Sequence, residues 1–455
     1  MIAREPSDVL AREGFSIRTG VRRADFGAVK TGSNDGLLVF PSATAILFLF
    51  SIFAGVALAQ VPAKDRFKYV NQGEFGPFIT EYDASYRATP LFGSPYQLMW
   101  YNTTPGEFYL GLRMGLRRSE SLFRWVWDVN RGKPVGENAT LTFGTDGNLV
   151  LAEANGRTVW STGTANKGVV GIKIVPGAGN LVLFDKNGRF VWQSFDHPTD
   201  TLLPGQSLRL TGPSKLVSRK SEKENSDGKY SFVVEPKGLA LYMAASPKPL
   251  PYFNYLGAPF GRLAFTTPSN ITFLPEPESD DNFAWELKLV QNNGADILAR
   301  PKYNASLSIL RLQLDGNLVA FTYYEPVDSQ AWERTFSFFS DNGILEGCEL
   351  PSKCGSLGCA RTTCVCDSCS SPKDGACKAA AGAAYYKVVG VENFLTKFVK
   401  GQTVKLDDCK KKCSADCKCL GFFFWEKESK CWLAPTLGTL NQVSNSSHVA
   451  YIKSS

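Results

Sequence analysis

The sequence of 455 residues predicts an all-β fold over most of its length, and two observations support this class. Between residues 61 and 345, short runs of alternating apolar and polar residues are interrupted by Gly, Asn, Asp and Pro, roughly every ten residues. The same stretch lacks the longer 3.6-residue periodicity of amphipathic helices. This pattern indicates a sandwich, barrel or prism.

The composition is that of a globular protein, with 44% hydrophobic and 20% charged residues. The length exceeds that of one ordinary core, so we expect about two to four domains. A formal net charge of +7 is too small to indicate nucleic acid binding. Only 2 His occur in the chain, which excludes a histidine-rich metal site.

The first 59 residues have the features of an export signal. No charge occurs between Asp35 and Lys64, and the apolar run in that gap ends in Ala57-Leu58-Ala59, the small-x-small form of a signal-peptidase site. We expect cleavage after this triplet, with Gln60 at the mature N-terminus. An uncleaved signal anchor is the alternative, because the uncharged stretch is long enough to span a bilayer. An over-extended gene-model start would explain the mixed charges before it.

Two further features are typical of an exported protein. All 12 Cys lie between Cys348 and Cys431, and their even number suits disulfide bonds in an oxidising compartment. Asn-x-Ser/Thr tripeptides predict N-glycosylation in the same compartment. The candidate asparagines are Asn102, Asn138, Asn270, Asn304 and Asn445.

An internal repeat refines the fold prediction. Gly147-Asn148-Leu149-Val150-Leu151 recurs 32 positions later, and each copy is followed by an Asn-Gly pair and a Val-Trp pair. Asn-Gly suits the positive-φ positions of a two-residue hairpin turn. An earlier Val126-Trp127 supplies a third unit, so we expect three small sheets around a shared aromatic core. The motif occurs once more, as Asp315-Gly316-Asn317-Leu318-Val319, and this predicts a second, more diverged copy of the domain.

These repeats resemble those of a known family. Asp146-Gly-Asn-Leu-Val150 and Val159-Trp160 resemble the repeats of bulb-type (monocot mannose-binding) lectin domains, whose fold is the β-prism II. The segment from Trp192 to Gln206 resembles the one that follows the first lectin domain in plant S-locus-type glycoproteins. With its cysteine-rich tail, the mature chain resembles the secreted, kinase-less, epidermis-specific glycoproteins of the plant cell wall.

The resemblance implies tandem β-prism II domains, then a small disulfide-rich EGF-like module and an α+β PAN/apple domain. The expected boundaries are 1–59 for the N-terminal extension with its signal peptide, 60–195 for the bulb-type lectin domain, 196–345 for the second, diverged lectin-like domain, 346–376 for the EGF-like module and 377–455 for the PAN/apple domain.

The cysteines form a group of seven from Cys348 to Cys377 and a group of five from Cys409 to Cys431. Because both groups are odd, full pairing needs at least one disulfide between them. Cys366-x2-Cys369 has the spacing of zinc ligands, but an oxidising compartment favours disulfides over a metal site.

The second cysteine group is expected to combine a helix with strands. Leu406–Cys417 reads as a helix in which Cys409, Cys413 and Cys417, at every fourth residue, share one face. Gly421–Trp425 and Cys431–Leu433 read as strands that receive this face. The PAN/apple resemblance implies the disulfides Cys409–Cys431 and Cys413–Cys419. Cys417 would then pair outside the group, with Cys377 as the candidate partner.

The family's mannose pocket is written Q-x-D-x-N-x-V-x-Y on one strand, where a period of two puts the five side chains on one face. The first repeat has Asp146 and Asn148 but lacks the Gln and the Tyr, and the second repeat lacks the Asp as well. In the diverged half only the Tyr hydroxyl is missing. The resemblance therefore implies a carbohydrate site at Gln313, Asp315, Asn317, Val319 and Phe321, and it makes Asp146 and Asn148 candidate sugar-binding residues of the first repeat. The same residues also form a turn-to-strand signal with a purely structural role.

Catalytic motifs are missing from the sequence, including G-x-S-x-G, H-E-x-x-H and a P-loop. Asp196 and Asp200 lie in a segment typical of a turn, so they do not support a glycosidase. His197 and His448 have turn or sequon neighbours and are expected at the surface. The Arg219–Lys229 stretch reads as a solvated charged hairpin. We expect no catalytic residues, no cofactor and no metal.

The combined prediction is a secreted, non-catalytic glycoprotein of the cell wall (the apoplast). Its expected partners are cell-wall glycans, of mannose type, or glycoproteins, with no nucleic acid and, in the mature form, no membrane. A structural wall protein with vestigial sugar pockets is the alternative. An enzyme would require turnover of a wall polysaccharide that depends on one carboxylate.

Overall fold

The computed structural model describes residues 60–115, 122–236, 238–254, 270–278, 284–291, 294–324, 331–353, 360–361, 365–366 and 384–454. The predicted signal peptide with its cleavage site, most of the EGF-like module and Cys377 lie outside these residues. Strands dominate the described parts of the chain, so the all-β prediction is confirmed. No helix within those parts has the length and apolarity needed to cross a membrane.

Strands between residues 67 and 193 build the first β-prism, which contains three antiparallel sheets. The strands β1 to β11 are, in order, Phe67–Val70, Ser85–Gly93, Tyr96–Thr104, Glu107–Met114, Arg124–Asp128, Thr140–Phe143, Leu149–Ala152, Thr158–Ser161, Val169–Ile174, Leu181–Asp185 and Phe190–Gln193. Their sheet orders are β1-β6-β7-β8, β2-β3-β4-β5 and β9-β10-β11. The three predicted repeat units thus contribute one sheet each.

The repeated tryptophans meet inside the first prism. The ring centroid of Trp192 lies 6.1 Å from that of Trp127 and 5.7 Å from that of Trp160. Leu149 and Leu181, the equivalent leucines of two repeats, are fully buried in the same core. The three sheets therefore share one core as expected, with Trp127 buried in it and Trp160 and Trp192 packed half-buried against it.

The Asn-Gly turns differ from the prediction of two-residue hairpins. In the first repeat the amide of Glu153 donates to the carbonyl of Arg157 at 2.9 Å, which leaves three residues in the loop. Only Gly156, at φ 87°, has a positive φ there, whereas Asn155 does not. The equivalent loop of the second repeat places Gly188 at φ 77°. The loops are thus three-residue turns that need one left-handed residue rather than two.

Strands between residues 201 and 337 build a second set of three antiparallel sheets. The strands β12 to β23 are, in order, Thr201–Leu202, Ser207–Arg209, Lys215–Arg219, Asp227–Glu235, Gly238–Met243, Leu250–Asn254, Asn270–Pro277, Trp285–Gln291, Gly294–Ala299, Ser308–Leu312, Leu318–Tyr323 and Trp332–Ser337. Their sheet orders are β12-β21-β22-β23, β13-β18-β19-β20 and β14-β15-β16-β17. The predicted second prism is therefore present, and residues 313–317 form the turn between β21 and β22.

The C-terminal region combines short strands with two helices in the residues described. The strands β24 to β32 are Ala360–Arg361, Val365–Cys366, Ala384–Val389, Val391–Glu392, Gln402–Thr403, Gly421–Trp425, Lys430–Ala434, Asn441–Gln442 and His448–Ser454, and the helices α1 and α2 are Phe394–Phe398 and Leu406–Ala415. One five-stranded sheet has the order β26-β32-β29-β30-β28. The predicted strands at β29 and β30 are present and pack against α2.

The helix α2 ends earlier than the sequence predicts. Cys409 and Cys413 are buried on one face of it, as expected, but Asp416 is extended at φ −101° and Cys417 lies beyond the helix. The ammonium of Lys453 donates to the carbonyl of Cys413 at 3.2 Å, which satisfies part of the helix terminus. The predicted face of three cysteines is therefore wrong at its last member, because the chain turns away at Asp416.

Two disulfides in this region join the same cysteines that the PAN/apple resemblance implies. Cys409 is bonded to Cys431, and Cys413 is bonded to Cys419. Cys348 and Cys417 are disulfide-bonded as well. The first two bonds attach α2 to β30 and to the segment before β29.

The second prism and the C-terminal region share one hydrophobic core. Phe253 of the prism lies 6.3 Å from Phe398 at the end of α1, and Phe338 lies 4.8 Å from Phe253, measured between ring centroids. Buried Phe394 and Trp432 belong to the same cluster. The C-terminal region thus packs directly against the second prism.

Candidate functional site between the two prisms

A polar cavity of about 370 Å³ lies between the first and the second prism. The first prism contributes Glu81, Tyr82 and Arg124, which come from the segment before β2 and from the start of β5. The second prism contributes the turn between β21 and β22 and their neighbours. Its lining residues are Asp200, Arg219, Glu222, Ile309, Arg311, Leu312, Gln313, Leu314, Asp315, Asn317, Val319, Phe321, Trp332 and Arg334.

The five residues of the predicted sugar pattern in the diverged half all line this cavity. They do not share one strand, however. Gln313, Asp315 and Asn317 belong to the turn, where the amide of Gln313 donates to the carbonyl of Asn317 at 2.8 Å. Val319 and Phe321 lie on β22 and continue the same face. A hairpin turn, rather than a straight strand, therefore brings the five side chains together.

The side chain of Asn317 is occupied by the fold. Its amide nitrogen donates to Ser337 Oγ at 2.9 Å and to the Phe339 carbonyl at 3.0 Å, and its Oδ1 accepts from the Phe339 amide at 3.0 Å. The residue is buried at 6% exposure. Asn317 thus joins its turn to the segment after β23, and it keeps little hydrogen-bonding capacity for a ligand.

The equivalent asparagines of the first prism have the same structural role. Asn148 Oδ1 accepts from the Thr164 amide at 3.1 Å, and Asn180 Oδ1 accepts from the Phe195 amide at 3.3 Å. Asp146, the other predicted residue of the first repeat, accepts from the Asn148 amide at 3.1 Å. Asp146 and Asn148 do not line the cavity between the prisms. Their pattern is therefore explained by the turn that they stabilise.

Two nitrogens at the cavity have no hydrogen-bond partner among the described residues. One is Gln313 Nε2, and the other is Nη2 of Arg219, a residue that is only 3% exposed. A buried donor without an acceptor costs about 1–3 kcal/mol. Both nitrogens belong to residues that line the cavity, and an acceptor placed within hydrogen-bond distance of them would offset that cost.

An ion pair between the prisms lines the cavity. Arg311 Nη1 donates to Glu81 Oε1 at 2.7 Å, and the second oxygen of Glu81 accepts from the Trp125 amide at 2.9 Å. Arg311 also donates to the Trp125 carbonyl at 2.7 Å. Burial alone would lower the pKa of Arg311, but the charge of Glu81 raises it above its usual range. Arg311 therefore remains charged in the site.

A second buried network lies behind Arg219. Tyr101 of the first prism donates its hydroxyl to Asp128 at 2.6 Å and accepts from Arg219 Nη1 at 3.1 Å. Burial raises the pKa of Asp128, although the nearby Arg219 opposes this. Arg219 was expected in a solvated hairpin, and that prediction is wrong for this residue because its guanidinium inserts between the prisms. The network fixes one wall of the cavity.

The residues that the sequence analysis missed fall into two kinds. Arg311 lies two positions before Gln313, and its neighbours on both sides, Leu310 and Leu312, are in the core, so the period of two continues upstream and could have identified it. Glu81 and Tyr82 lie about 230 positions away and carry no local signal. Within the described parts of the chain, no group of three His, Cys, Asp or Glu side chains is arranged to hold a metal ion.

The D-mannose binding lectin family model matches residues 124–221 of the chain. This range begins at β5 in the first prism and ends just after β14 in the second. It includes all three Val-Trp pairs that the sequence analysis identified.

Two relatives match most of the chain. EP1-like glycoprotein 2 of Arabidopsis thaliana is 49% identical over 438 residues, which span 88% of this chain and 96% of the relative. The epidermis-specific secreted glycoprotein EP1 of Daucus carota is 51% identical over 356 residues, 73% of this chain and 91% of its own length. A G-type lectin S-receptor-like serine/threonine-protein kinase of Arabidopsis thaliana is 26% identical over 365 residues but is covered over only 38% of its length.

Proposed function

The chain belongs to the EP1-like glycoprotein family, and we propose on this basis that it is a secreted, non-catalytic protein that recognises carbohydrate. The proposed ligands are mannose-type glycans of the cell wall, or glycoproteins that carry them. The observation that carries the proposal is the cavity between the prisms, because all five residues of the sugar-binding pattern in the second prism line it.

The lining offers the groups that a sugar needs. Gln313 Nε2 is a donor without a partner among the described residues, and the exposed carboxylate of Asp315 is an acceptor. Phe321, which is half-buried, supplies apolar surface for the C–H face of a sugar ring, and Val319 lies almost fully buried beside it. The volume of about 370 Å³ lies in the range of small-molecule sites, about 300–1,000 Å³. Size and chemistry therefore both suit one sugar residue.

The affinity of such a site for a single sugar is expected to be weak. One sugar with a few hydrogen bonds corresponds to a millimolar Kd, or about 4 kcal/mol. Useful recognition of a wall glycan then requires several sites on one surface or on one polymer, because linkage raises the effective concentration. Binding should accordingly be stronger to a branched mannan than to free mannose.

A glycan array that includes oligomannose structures, probed with the glycosylated protein, tests this function. Gln313→Ala should weaken binding to the mannose-type spots at least about tenfold, since it removes a buried donor. Asp146→Ala is the matched control, because it changes the equivalent turn of the first prism outside the cavity. Loss of binding in the control but not in Gln313→Ala would contradict the proposed location.

One observation favours a structural role instead. Asn148, Asn180 and Asn317 each use their side-chain oxygen to accept a backbone amide of the fold. If the sugar-binding pattern serves only to stabilise these turns, the protein has no affinity for sugar. A correctly folded, glycosylated protein that binds no spot of the array would support this alternative and contradict carbohydrate recognition.

Export is the other part of the proposal, and it is supported by the signal-like segment of the sequence and by the printed name of the secreted relative from Daucus carota. N-terminal sequencing of protein from the culture medium of plant cells should begin at Gln60. The proposed glycosylation sites are Asn102, Asn138, Asn270, Asn304 and Asn445. Asn138, Asn304 and Asn445 are exposed, whereas Asn102 and Asn270 are half-buried. Peptide mapping after deglycosylation should therefore find the first three most fully modified.

The domain assignment after the second prism is also a proposal. We propose an EGF-like module at 346–376 and a PAN/apple domain at 377–455, supported by a disulfide-anchored helix on a five-stranded sheet. In this arrangement Cys417 is bonded to Cys377. Mass spectrometry of non-reduced peptides should detect that pair, and a different partner for Cys417 would contradict it.

A further inference from the structure

The sugar pattern of the second prism lacks one group, the hydroxyl of its last residue, because Phe321 stands where the pattern has Tyr. The cavity nevertheless contains a phenol. It belongs to Tyr82, which comes from the first prism and lines the same space as Gln313 and Phe321.

The backbone of the first prism has an unusual conformation at Tyr82. Tyr82 has φ 65° and Asp83 has φ 54°, a left-handed conformation that non-glycine residues rarely adopt. Thr80 holds the turn, since its amide and its hydroxyl both bond to the Ala84 carbonyl at 3.0 Å. The ion pair of Glu81 with Arg311 fixes the other side. Such strain persists only where surrounding contacts enforce it, and here they direct a tyrosine between the prisms.

Two arginines of the second prism hold the Tyr82 side chain. The guanidinium carbon of Arg219 lies 4.3 Å from the centre of the Tyr82 ring, in a cation–π contact. Arg311 Nη1 donates to the Tyr82 hydroxyl at 3.4 Å. That hydroxyl therefore accepts a bond, and no acceptor for its own hydrogen is found among the residues that the structure describes. Burial raises the pKa of Tyr82, so the phenol keeps its hydrogen at neutral pH.

We propose that Tyr82 supplies the hydroxyl that the second prism lacks, so that the sugar site is composite and is complete only when the two prisms are together. The ligand is a neutral sugar whose hydroxyl oxygens accept from the Tyr82 hydroxyl, Gln313 Nε2 and Arg219 Nη2. The lining carries equal numbers of acids and arginines: Glu81, Asp200, Glu222 and Asp315, and Arg124, Arg219, Arg311 and Arg334. This balance of charge favours an uncharged polyol over an acidic sugar. The inference rests on the proposed carbohydrate recognition and adds a residue of the first prism to it.

The test compares three single variants of the full glycosylated chain in NMR titrations with methyl α-mannoside at millimolar concentration. Tyr82→Phe removes one oxygen atom and should weaken binding roughly two- to tenfold, the factor expected for one neutral hydrogen bond. Tyr69→Phe is the matched control, because it removes a phenol oxygen of the first prism outside the cavity. Gln313→Ala reports on the second-prism part of the same site.

The outcomes separate the two proposals. Weaker binding in Tyr82→Phe with an unchanged melting temperature, and wild-type binding in Tyr69→Phe, supports the composite site. Wild-type binding in Tyr82→Phe together with weakened binding in Gln313→Ala overturns the role of Tyr82 and leaves carbohydrate recognition intact. A wild-type chain that binds neither methyl α-mannoside nor any array glycan overturns both. Because Tyr82→Phe keeps the ring and its contact with Arg219, the melting temperature also reports whether that wall is intact.

Discussion

The carboxylate of Glu81 in the first prism lies 2.7 Å from the guanidinium of Arg311 in the second. Only 13% of the Glu81 side chain and 4% of the Arg311 side chain remain exposed, so neither charge is well solvated. Trp332 of the second prism adds a hydrogen bond at 2.7 Å to the Leu122 carbonyl of the first. Polar contacts with little access to water therefore fix the relative position of the two prisms.

Glu81→Gln should destabilise the protein by about 3–5 kcal/mol, because it removes the carboxylate that is hydrogen-bonded to the buried charge of Arg311. Urea unfolding followed by tryptophan fluorescence would measure the change. Glu153→Gln is the matched control, since the Glu153–Arg157 pair is an i,i+4 contact whose arginine is 65% exposed. The control should change stability by no more than about 0.5 kcal/mol. Equal effects of the two variants would contradict the structural importance of the Glu81 pair.

Asn317→Ala should lower the free energy of unfolding by about 1–3 kcal/mol, because it leaves the buried Phe339 amide without its acceptor. Asn187→Ala changes an exposed asparagine in a hairpin of the first prism and should stay within about 0.5 kcal/mol of wild type. Calorimetric melting of both variants provides the comparison. If Asn317→Ala melted like wild type, the turn would not depend on this side chain.

Gly316→Ala should be more destabilising than Gly188→Ala, although both glycines have a positive φ, 89° and 77°. A Cβ on Gly316 would lie 2.7 Å from Tyr230 Cδ1, whereas a Cβ on Gly188 meets nothing within 4 Å. Both variants carry the cost of a left-handed alanine, about 1 kcal/mol, and only the first adds an overlap. Urea unfolding of the pair isolates that overlap. Identical stabilities would show that Tyr230 moves aside freely.

Glu286→Gln should remove part of the protein's sensitivity to acid. Hydrogen bonds from Lys288 and Arg300 hold the pKa of Glu286 below its ordinary value of 4.5. Since the unfolded chain then takes up the proton first, the stabilisation is complete above about pH 4.5 and is lost as the pH falls through the lower folded-state pKa. Melting temperatures between pH 7 and pH 3 should fall less steeply in the variant. A parallel fall in both proteins would contradict the prediction.

The sheets of the two prisms could be predicted because their signals are local. Asp-Gly-Asn-Leu-Val places a left-handed glycine and a strand start within five residues, and the same short range governs the hairpin that follows. The loop at Asn155-Gly156 was predicted with the wrong length because that dipeptide fits two turn types. The backbone pairing of Glu153 with Arg157 decides between them. The end of α2 was misplaced for a similar reason, since cysteine spacing does not reveal that Asp416 is extended.

The candidate site could be predicted only in part. The resemblance to the lectin repeats implies Gln313 to Phe321, because the whole pattern lies within nine consecutive residues. Glu81 and Tyr82 reach the same cavity from another prism, and their positions depend on how two complete cores pack together. Arg219 lies in a stretch of alternating charges, which favours a solvated hairpin by composition alone. Its burial follows from Tyr101 and Asp128, both more than 90 positions earlier in the chain.

The shared core of the second prism and the C-terminal region sets a practical limit on shortened recombinant forms. A fragment that stops before α1 would expose Phe253 and its aromatic neighbours to solvent, because Phe394 and Phe398 would no longer cover them. Exposed patches of this kind promote aggregation. The sequence repeats suggest that the two prisms form an independent unit. The shared core indicates instead that they should be produced together with the C-terminal region.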